Sequence, residues 1–265
     1  MKIFIITMED PLYTLPFIKN IIKERKADII GLAISKGGRL KIGKNRSKIT
    51  YLLSLLLIMG IIGFFKNSFL TISYKLKCKL SKYLPIKNPS LHSFCIENDI
   101  PIYQIKSPNN VDFLKILKEA SPDVIINQSQ YIIKKELLSI PKIGMLNRHN
   151  ALLPKNRGRL TPFWVLYKRE KETGVSIHFV EEGMDSGPIV VQEKYAVEEN
   201  DNFNSIVEKN YKLASKAMLK ALQIIENGNY QTIANNDAEA TYNTIPTLKE
   251  AFNYRLRTIG VGKTS

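Results

Sequence analysis

The sequence predicts an open α/β sheet whose strands are mostly parallel, and three observations support this. Short apolar runs alternate with helix-like stretches along the N-terminal half of the chain. The runs are apolar throughout, which is typical of strands that are covered on both faces. The stretches between them repeat their apolar residues at helical spacing. Ligands of such sheets bind at the C-terminal ends of the strands.

The predicted elements follow one another along the chain. Strands are predicted at KIFIITM (2–8), ADIIGLAIS (27–35), PIYQI (101–105), DVIINQ (123–128), IGMLN (143–147), TGVSIHFV (173–180) and PIVVQEKYAV (188–197). Helices are predicted at LPFIKNIIKERK (15–26), VDFLKILKEA (111–120), KKELLSI (134–140) and 202–228. The stretch SKGGRLKIG lacks the spacing G-x-G-x-x-G, so no dinucleotide cofactor is inferred. We expect one domain over 1–230 and a docked tail, 231–265, which is too short for a second domain.

Composition places the chain among globular proteins. It has 265 residues, of which 44% are hydrophobic and 24% are charged. Its two cysteines, Cys78 and Cys95, have neither a metal-type spacing nor a disulfide framework. The start, MKIFIITMEDPLY, predicts a first strand and not a signal peptide. We therefore expect a cytoplasmic protein without a metal site.

A basic segment interrupts the α/β pattern. The net charge is +15, and the stretch from Lys36 to Lys87 contains twelve Lys or Arg and no Asp or Glu. Within it, YLLSLLLIMGIIGFF (51–65) carries no charge. A helix of that length reaches about 22 Å, less than the roughly 30 Å of a bilayer core, which disfavours a span. For this helical insertion, 44–87, a buried core or dimer-interface helix is the favoured interpretation. Contact with anionic lipid at the inner face of the membrane, or a true span, stays open.

Three residues can carry the chemistry. Asn147 and His149 are two positions apart on an extended segment, so their side chains point to the same side. The amide can donate to a developing oxyanion, and the imidazole can move a proton. A carboxylate that orients the imidazole or raises its pKa would complete the set. Asp185, in the turn EEGMDSGP, is the candidate, and the absence of a nucleophile motif indicates that the attacking group comes from the substrate.

Two stretches resemble the formyltransferase family, namely LNRHNALLPKNRGRLTPFW (146–164) and TGVSIHFVEEGMDSGPIV (173–190). The shared pattern is Asn-x-His, Leu-Pro, Arg-Gly, a Trp, a Gly-Val strand and an Asp-Ser-Gly-Pro turn. The resemblance implies a Rossmann-like sheet of the formyltransferase type. It also implies transfer of a formyl group from N10-formyltetrahydrofolate to an amine, with Asn147, His149 and Asp185 as the catalytic residues.

The resemblance implies a folate site as well. In the family the pterin is held mostly by backbone groups of two loops, which correspond here to 127–133 and 180–187. The implied cofactor-binding residues are Gln128, Ser129, Gln130, Tyr131, Ile132, Glu181, Glu182, Gly183 and Met184. Arg148 departs from the family, where smaller or apolar residues are commoner, and its side chain should point away from the Asn–His side. His178, inside an apolar strand, is interpreted as structural.

The acceptor is predicted to be a nucleotide-linked amino sugar, used in surface polysaccharide assembly. The tail TYNTIPTLKEAFNYRLR (241–257) is similar to the ends of sugar N-formyltransferases. Arg157 and Arg159 either bind a phosphate of this substrate or cap and solvate a helix start. Nucleic acid is a less favoured partner, and a homodimer stays open. The alternatives are a methionyl-tRNA-type formyltransferase lacking the extra C-terminal domain and a non-catalytic, membrane-associated family member.

Overall fold

The computed structural model describes residues 1–35 and 47–261. The beginning of the basic segment, 36–46, lies outside the described residues, and with it most of SKGGRLKIG. Nine strands are found in the described part. They are β1 (Ile3–Thr7), β2 (Ile29–Ser35), β3 (Ile102–Ile105), β4 (Val124–Asn127), β5 (Gly144–His149), β6 (Arg157–Gly158), β7 (Glu172–Phe179), β8 (Ile189–Ala196) and β9 (Tyr242–Asn243).

Seven of these strands form the central sheet, in the order β3-β2-β1-β4-β5-β7-β8. The first five in this order are parallel to one another, whereas β7 runs antiparallel to both β5 and β8. The predicted fold class, a mostly parallel Rossmann-like sheet, is therefore confirmed. The chain order reverses between β1 and β4, and the crevice outside such a reversal is where open α/β sheets bind ligands.

Helices cover both faces of the sheet. They are α1 (Thr14–Arg25), α2 (Lys48–Leu80), α3 (Leu91–Glu97), α4 (Val111–Ala120), α5 (Lys135–Leu138), α6 (Thr161–Tyr167), α7 (Phe203–Glu226) and α8 (Leu248–Val261). Local chemistry sets several of the boundaries. The Asn110 side chain accepts two backbone N–H bonds at the start of α4, and Asn202 forms a capping box with Ser205 at the start of α7. Such caps satisfy backbone donors that a helix leaves unpaired at its first turn.

Two apolar cores lie on opposite faces of the sheet because neighbouring residues of a strand point in opposite directions. On β1, Ile3 and Ile5 pack into a core shared with α1 and α7, while Phe4 and Ile6 pack into a core shared with α4. All four side chains are fully buried. This explains why β1 is apolar from Ile3 to Ile6, as the prediction of a doubly covered strand requires.

Helix α2 differs from one of the two favoured interpretations of the insertion, the buried core helix. It is 33 residues long with a break at Gly60, where φ is 72° and ψ is 164°. Its buried residues are only Ser54, Ile58 and Gly60, so the interpretation as a buried core helix is wrong. Among the described residues, α2 is the one helix that length and composition would allow to cross a membrane. Within the stretch 51–65, the exposed residues are Leu52, Leu53, Ile61, Ile62 and Phe65.

The tail returns to the sheet and packs against the body. Strand β9 pairs in parallel with β6, and the indole Nε1 of Trp164 donates to the Thr244 carbonyl at 2.8 Å. Ala251 and Tyr254 of α8 join a core that contains Phe163, Trp164 and Ile58 of α2. The tail thus contacts both the segment that follows β5 and helix α2.

Candidate active site

The predicted catalytic residues meet at the carboxyl end of β5. This strand contributes Asn147 and His149, and its antiparallel neighbour β7 places His178 directly opposite Asn147. Asp185 follows β7 in the turn that leads to β8. Its Oδ2 lies 3.5 Å from Nδ1 of His149, and its Oδ1 lies 3.8 Å from Nε2 of His178. The carboxylate therefore sits between two imidazole rings, one predicted as catalytic and one interpreted as structural.

Backbone carbonyls determine which ring nitrogens carry protons. Nε2 of His149 lies 2.8 Å from the Asn156 carbonyl oxygen, and Nδ1 of His178 lies 2.7 Å from the Phe179 carbonyl oxygen. A carbonyl can only accept, so each of these nitrogens donates. In a neutral ring the other nitrogen then has no proton. Both bare nitrogens face Asp185, and the cluster is arranged to accept a proton.

Electrostatics keep Asp185 ionised. Burial raises the pKa of its carboxyl, but electrostatic interaction with the imidazoles of His149 and His178 and a hydrogen bond from the Gly158 N–H outweigh burial and lower that pKa below its ordinary value of 3.8. The N–H bond to Oδ2 is 2.9 Å long. The carboxylate can thus stabilise a proton that arrives on either ring.

Two features of the chain hold Asp185 in place. Its backbone φ is 50°, a left-handed conformation that Asp tolerates better than most residues. The Asn235 amide of the tail donates 2.8 Å bonds to the carbonyls of Asp185 and Gly187 and so ties down the turn.

Gly158 is required where it stands, because its φ is 103° and a Cβ there would collide with the Asn243 carbonyl oxygen.

Asn147 is oriented by a side-chain relay. Its Oδ1 accepts a 3.0 Å bond from Nε2 of Gln128, and Oε1 of Gln128 accepts a 2.9 Å bond from Nε of Arg148. The amide Nδ2 of Asn147 is thereby directed away from Gln128, and it donates to none of the described residues. Asn147 therefore keeps a free donor at the end of β5.

Arg148, the departure from the family pattern, is well accommodated. Its guanidinium lies between the rings of Phe17 and Tyr211, 5.0 and 4.2 Å from their centroids. It also donates to the Tyr211 hydroxyl and to Oδ1 of Asn150. The side chain points to the face of the sheet that α1 and α7 cover. Its bond to Gln128 nevertheless links it to Asn147. Arg148 therefore contributes to orienting Asn147.

Arg157 does not lie where a substrate phosphate could reach it. Its side chain is fully buried, and its two terminal nitrogens bind the tail residues Asp237, Tyr242 and Asn235 at 2.6 to 3.0 Å. The prediction that Arg157 binds substrate is wrong, because folding uses its donors to hold the tail. Arg159 is exposed, its backbone N–H bonds to the Asn243 carbonyl, and it remains a candidate.

The predicted folate loops flank β5. Loop 127–133 begins at the end of β4, where the Asn127 side chain accepts bonds from the N–H and hydroxyl of Ser129. Loop 180–187 follows β7. Exposed members of the predicted set are Gln130, Ile132, Glu181, Glu182, Gly183 and Met184, whereas Gln128, Ser129 and Tyr131 are half-buried. Loop 127–133 leaves β4 directly beside Asn147, whereas loop 180–187 leaves the antiparallel β7 where Phe179 pairs with Leu146 and places Asp185 beside His149.

Comparison with known proteins settles the family. The family model described as Formyl transferase matches residues 65–222, which is more than half of the chain. This chain belongs to the formyl transferase family. Its match covers Asn147, His149, His178 and Asp185.

Related proteins correct the predicted acceptor. Methionyl-tRNA formyltransferase of Kosmotoga olearia is 37% identical over 147 residues, 55% of this chain and 47% of the relative. That of Clostridioides difficile is 34% identical over 148 residues, 56% and 48% of the two chains. The chain thus spans about half the length of the curated relatives it matches. Further relatives, 31% to 38% identical, have the same name. These findings overturn the amino-sugar prediction and favour the tRNA-type alternative.

A solved structure supports the fold. WlaRD, a sugar 3N-formyl transferase solved in the presence of dTDP and 5-N-formyl-THF, aligns with a TM-score of 0.56 and 18% identity. The alignment covers 92% of this chain and 69% of that chain. At this identity the likeness establishes the shared sheet and helices only. It therefore does not restore the amino-sugar prediction.

Two residues that contact Asp185 in the structure were not part of the predicted site. His178 was interpreted as structural, although it faces Asp185, and Asn235 was not singled out. The only local signal for His178 is a polar residue in an otherwise apolar strand. Its position opposite Asn147 depends on the β5–β7 register. Asn235 lies 50 residues after Asp185, and no local pattern connects the two.

The buried His178 gives a pH-dependent stability. Burial lowers its pKa to about 4, against an ordinary 6.5. Between these values the unfolded chain binds a proton at His178 and the folded chain does not. The free energy of unfolding should therefore fall as the pH falls from 6.5 towards 4, by up to about 1.4 kcal/mol per pH unit. Urea unfolding at a series of pH values measures it.

The substitution His178→Gln should remove this part of the pH dependence, because the titrating group is gone. His92→Gln is the matched control, since His92 is exposed on α3 and keeps no contact with Asp185. An unchanged slope in His178→Gln would contradict the assignment of a neutral, buried His178.

Proposed function

We propose that this chain transfers a formyl group from N10-formyltetrahydrofolate to the amine of a methionyl-tRNA-type acceptor. The observation that carries the proposal is the Asp185 carboxylate between Nδ1 of His149 and Nε2 of His178, beside Asn147. Membership of the formyl transferase family supports the reaction class. The names of the curated relatives support the acceptor class.

The described residues fit the folate. Asn147 has a free Nδ2 donor where a formyl oxygen would need one, because Gln128 occupies its Oδ1. Nε2 of His178 is buried without a hydrogen-bond partner, which is typical of a site that is completed by a ligand or a proton. Each of the two loops has exposed residues that could line a site for a flat heterocycle, Gln130 and Ile132 in the first and 181–184 in the second.

Each residue has a role in the transfer. Bound N10-formyltetrahydrofolate supplies an activated formyl carbon. Asn147 donates from Nδ2 to the formyl oxygen as negative charge develops there. His149 takes the proton of the attacking amine on Nδ1, and Asp185 stabilises the resulting imidazolium. The amine nitrogen bonds to the formyl carbon as the bond from that carbon to N10 breaks, and the proton passes to N10.

The exposed Arg159 is our candidate for a phosphate contact of the acceptor. Arg159 directly follows Gly158, whose N–H donates to Asp185. Its side chain therefore leaves the backbone one residue from a group that contacts the proposed catalytic carboxylate. A net charge of +15 also favours a polyanionic acceptor. We assign the phosphate contact to Arg159 and not to Arg157, because the terminal nitrogens of Arg157 bind residues of the tail.

Formylation of initiator methionyl-tRNA tests the proposal. Purified protein is mixed with N10-formyltetrahydrofolate and charged tRNA, and formylmethionine is measured after hydrolysis of the aminoacyl ester. We expect formylmethionine to form, and tRNA affinity to fall steeply as salt rises. Formylation of a nucleotide-linked amino sugar without formylation of methionyl-tRNA would contradict the acceptor.

Arg159→Ala separates acceptor binding from chemistry. Loss of one phosphate contact should raise KM for the tRNA and flatten its salt dependence by about one unit of slope, with kcat little changed. Lys171→Ala is the matched control, because Lys171 is exposed at the start of β7, the end remote from Asp185. An equal effect of both substitutions would show that tRNA binding depends on the net charge of the protein and not on a contact of Arg159.

A further inference from the structure

Helix α2 presents a large apolar face that nothing in the described chain covers. Its exposed large apolar side chains are Ile49, Leu52, Leu53, Ile61, Ile62, Phe65, Phe69, Leu70, Ile72 and Leu76. The most exposed is Ile62, at 85%. Scattered exposed apolar residues are ordinary, but a contiguous patch of this extent marks an interaction surface.

Helix α8 extends this face. Leu248, Phe252 and Leu256 are spaced four residues apart, so they form one stripe along the helix, and all three are exposed. A groove of about 540 Å³ lies between the two helices. Its lining is apolar side chains of α2 and α8 together with Lys249. The apolar surface therefore includes two packed helices and the groove between them, which we call the α2–α8 face.

Charge distinguishes the possible partners of the α2–α8 face. Lys66, Lys75, Lys77 and Lys79 lie on α2 and are exposed, and no Asp or Glu occurs from Lys36 to Lys87. In a two-fold dimer the same patch would face itself, and α2 of the partner would offer these lysines no carboxylate with which to pair. An anionic lipid surface instead offers an apolar interior beneath a layer of negative charge.

Hydrogen bonds fix α2 along the body of the protein. Nδ2 of Asn204, on α7, donates to the Met59 carbonyl at 2.9 Å, and the Tyr74 hydroxyl donates to the Glu9 carboxylate. These contacts hold both halves of the helix, on either side of the break at Gly60. A helix that is tied to the body at both halves can lie along a membrane surface together with that body.

We propose that the α2–α8 face docks this protein on an anionic lipid bilayer, with the apolar side chains in the interface and the lysines on the headgroups. This inference does not depend on the proposed function, because no residue of the α2–α8 face belongs to the Asp185 cluster. It places the formyl transferase site at the membrane surface.

Vesicle cosedimentation of the full chain tests the proposal. The vesicles are phosphatidylcholine alone and an equal mixture of phosphatidylcholine and phosphatidylglycerol. We expect binding to the anionic vesicles, and at least tenfold weaker binding to the neutral ones. Ile62→Glu with Phe65→Glu should abolish binding, whereas Val111→Glu, an equally exposed position on α4, should not. Circular dichroism checks that each variant is folded.

Two triple substitutions at the same lysines test whether their positive charge contributes to vesicle binding. Replacing Lys75, Lys77 and Lys79 with Gln should weaken binding to anionic vesicles by about a hundredfold, and replacing them with Arg should leave it unchanged. Three outcomes would overturn the proposal. The first is no binding to either kind of vesicle, and the second is equal binding to both. The third is a protein that does not bind vesicles but self-associates, and that loses this self-association when Ile62→Glu and Phe65→Glu are combined. Binding of soluble tRNA in place of vesicles by this lysine cluster would also overturn it.

Discussion

Asp185→Asn should lower kcat for formyl transfer about a thousandfold while KM changes little. The amide has the shape of the carboxylate and retains an oxygen that can accept the Gly158 N–H. It has no charge, however, and cannot stabilise a proton on Nδ1 of His149, which lies 3.5 Å from Oδ2. Steady-state kinetics of formylmethionyl-tRNA formation at neutral pH measure both constants.

Glu199→Gln is the matched control for this loss. It removes one negative charge by the same change from acid to amide, and Glu199 is exposed beyond the end of β8 that is remote from Asp185. We expect it to leave kcat unchanged. If Asp185→Asn kept full activity, the role of the carboxylate in proton transfer would be refuted, whatever the acceptor.

Arg157→Ala should lower the free energy of unfolding by about 3 kcal/mol. The guanidinium is fully buried and makes four hydrogen bonds to the tail, and alanine would leave both a cavity and unpaired partners. Because the tail residue Asn235 also holds the Asp185 turn, kcat should fall as well. Urea unfolding followed by tryptophan fluorescence is a suitable measurement, since Trp164 packs beside the tail.

Arg159→Ala separates this structural role from substrate binding. Arg159 has the same side chain two residues away but is exposed, so its loss should not change the free energy of unfolding. A stable Arg157→Ala variant with a raised KM would instead restore the phosphate role that the structure denies to Arg157.

The positions of the central strands and of several helices along the chain could be predicted because they depend on local patterns. Helix α4 begins and ends where the sequence predicts, since Asn110 caps it and its apolar residues repeat at helical spacing. The strand β1 is apolar from Ile3 to Ile6 because both faces are covered. The surroundings of helix α2 were less predictable. A stretch without charge indicates an apolar environment, but it does not indicate whether protein or lipid provides that environment.

The two histidines show where sequence reasoning ends. His149 lies two residues from Asn147, and strand geometry alone places both side chains on one side. His178 reaches the same cluster only because β7 pairs with β5 in a register that aligns it with Asn147. Register is set by packing across the sheet, and a shift of one residue would point His178 to the opposite face.

By itself the sequence determined the α/β fold, the Asn147–His149 pair and the Asp185 turn, because spacing along one chain segment fixes these. Only the tertiary structure decided that His178 lies beside Asp185, that Arg157 holds the tail and that many apolar side chains of α2 are exposed. These three depend on which distant segments come into contact. Burial and charge pairing between segments are properties of the packed chain, and no local spacing specifies them.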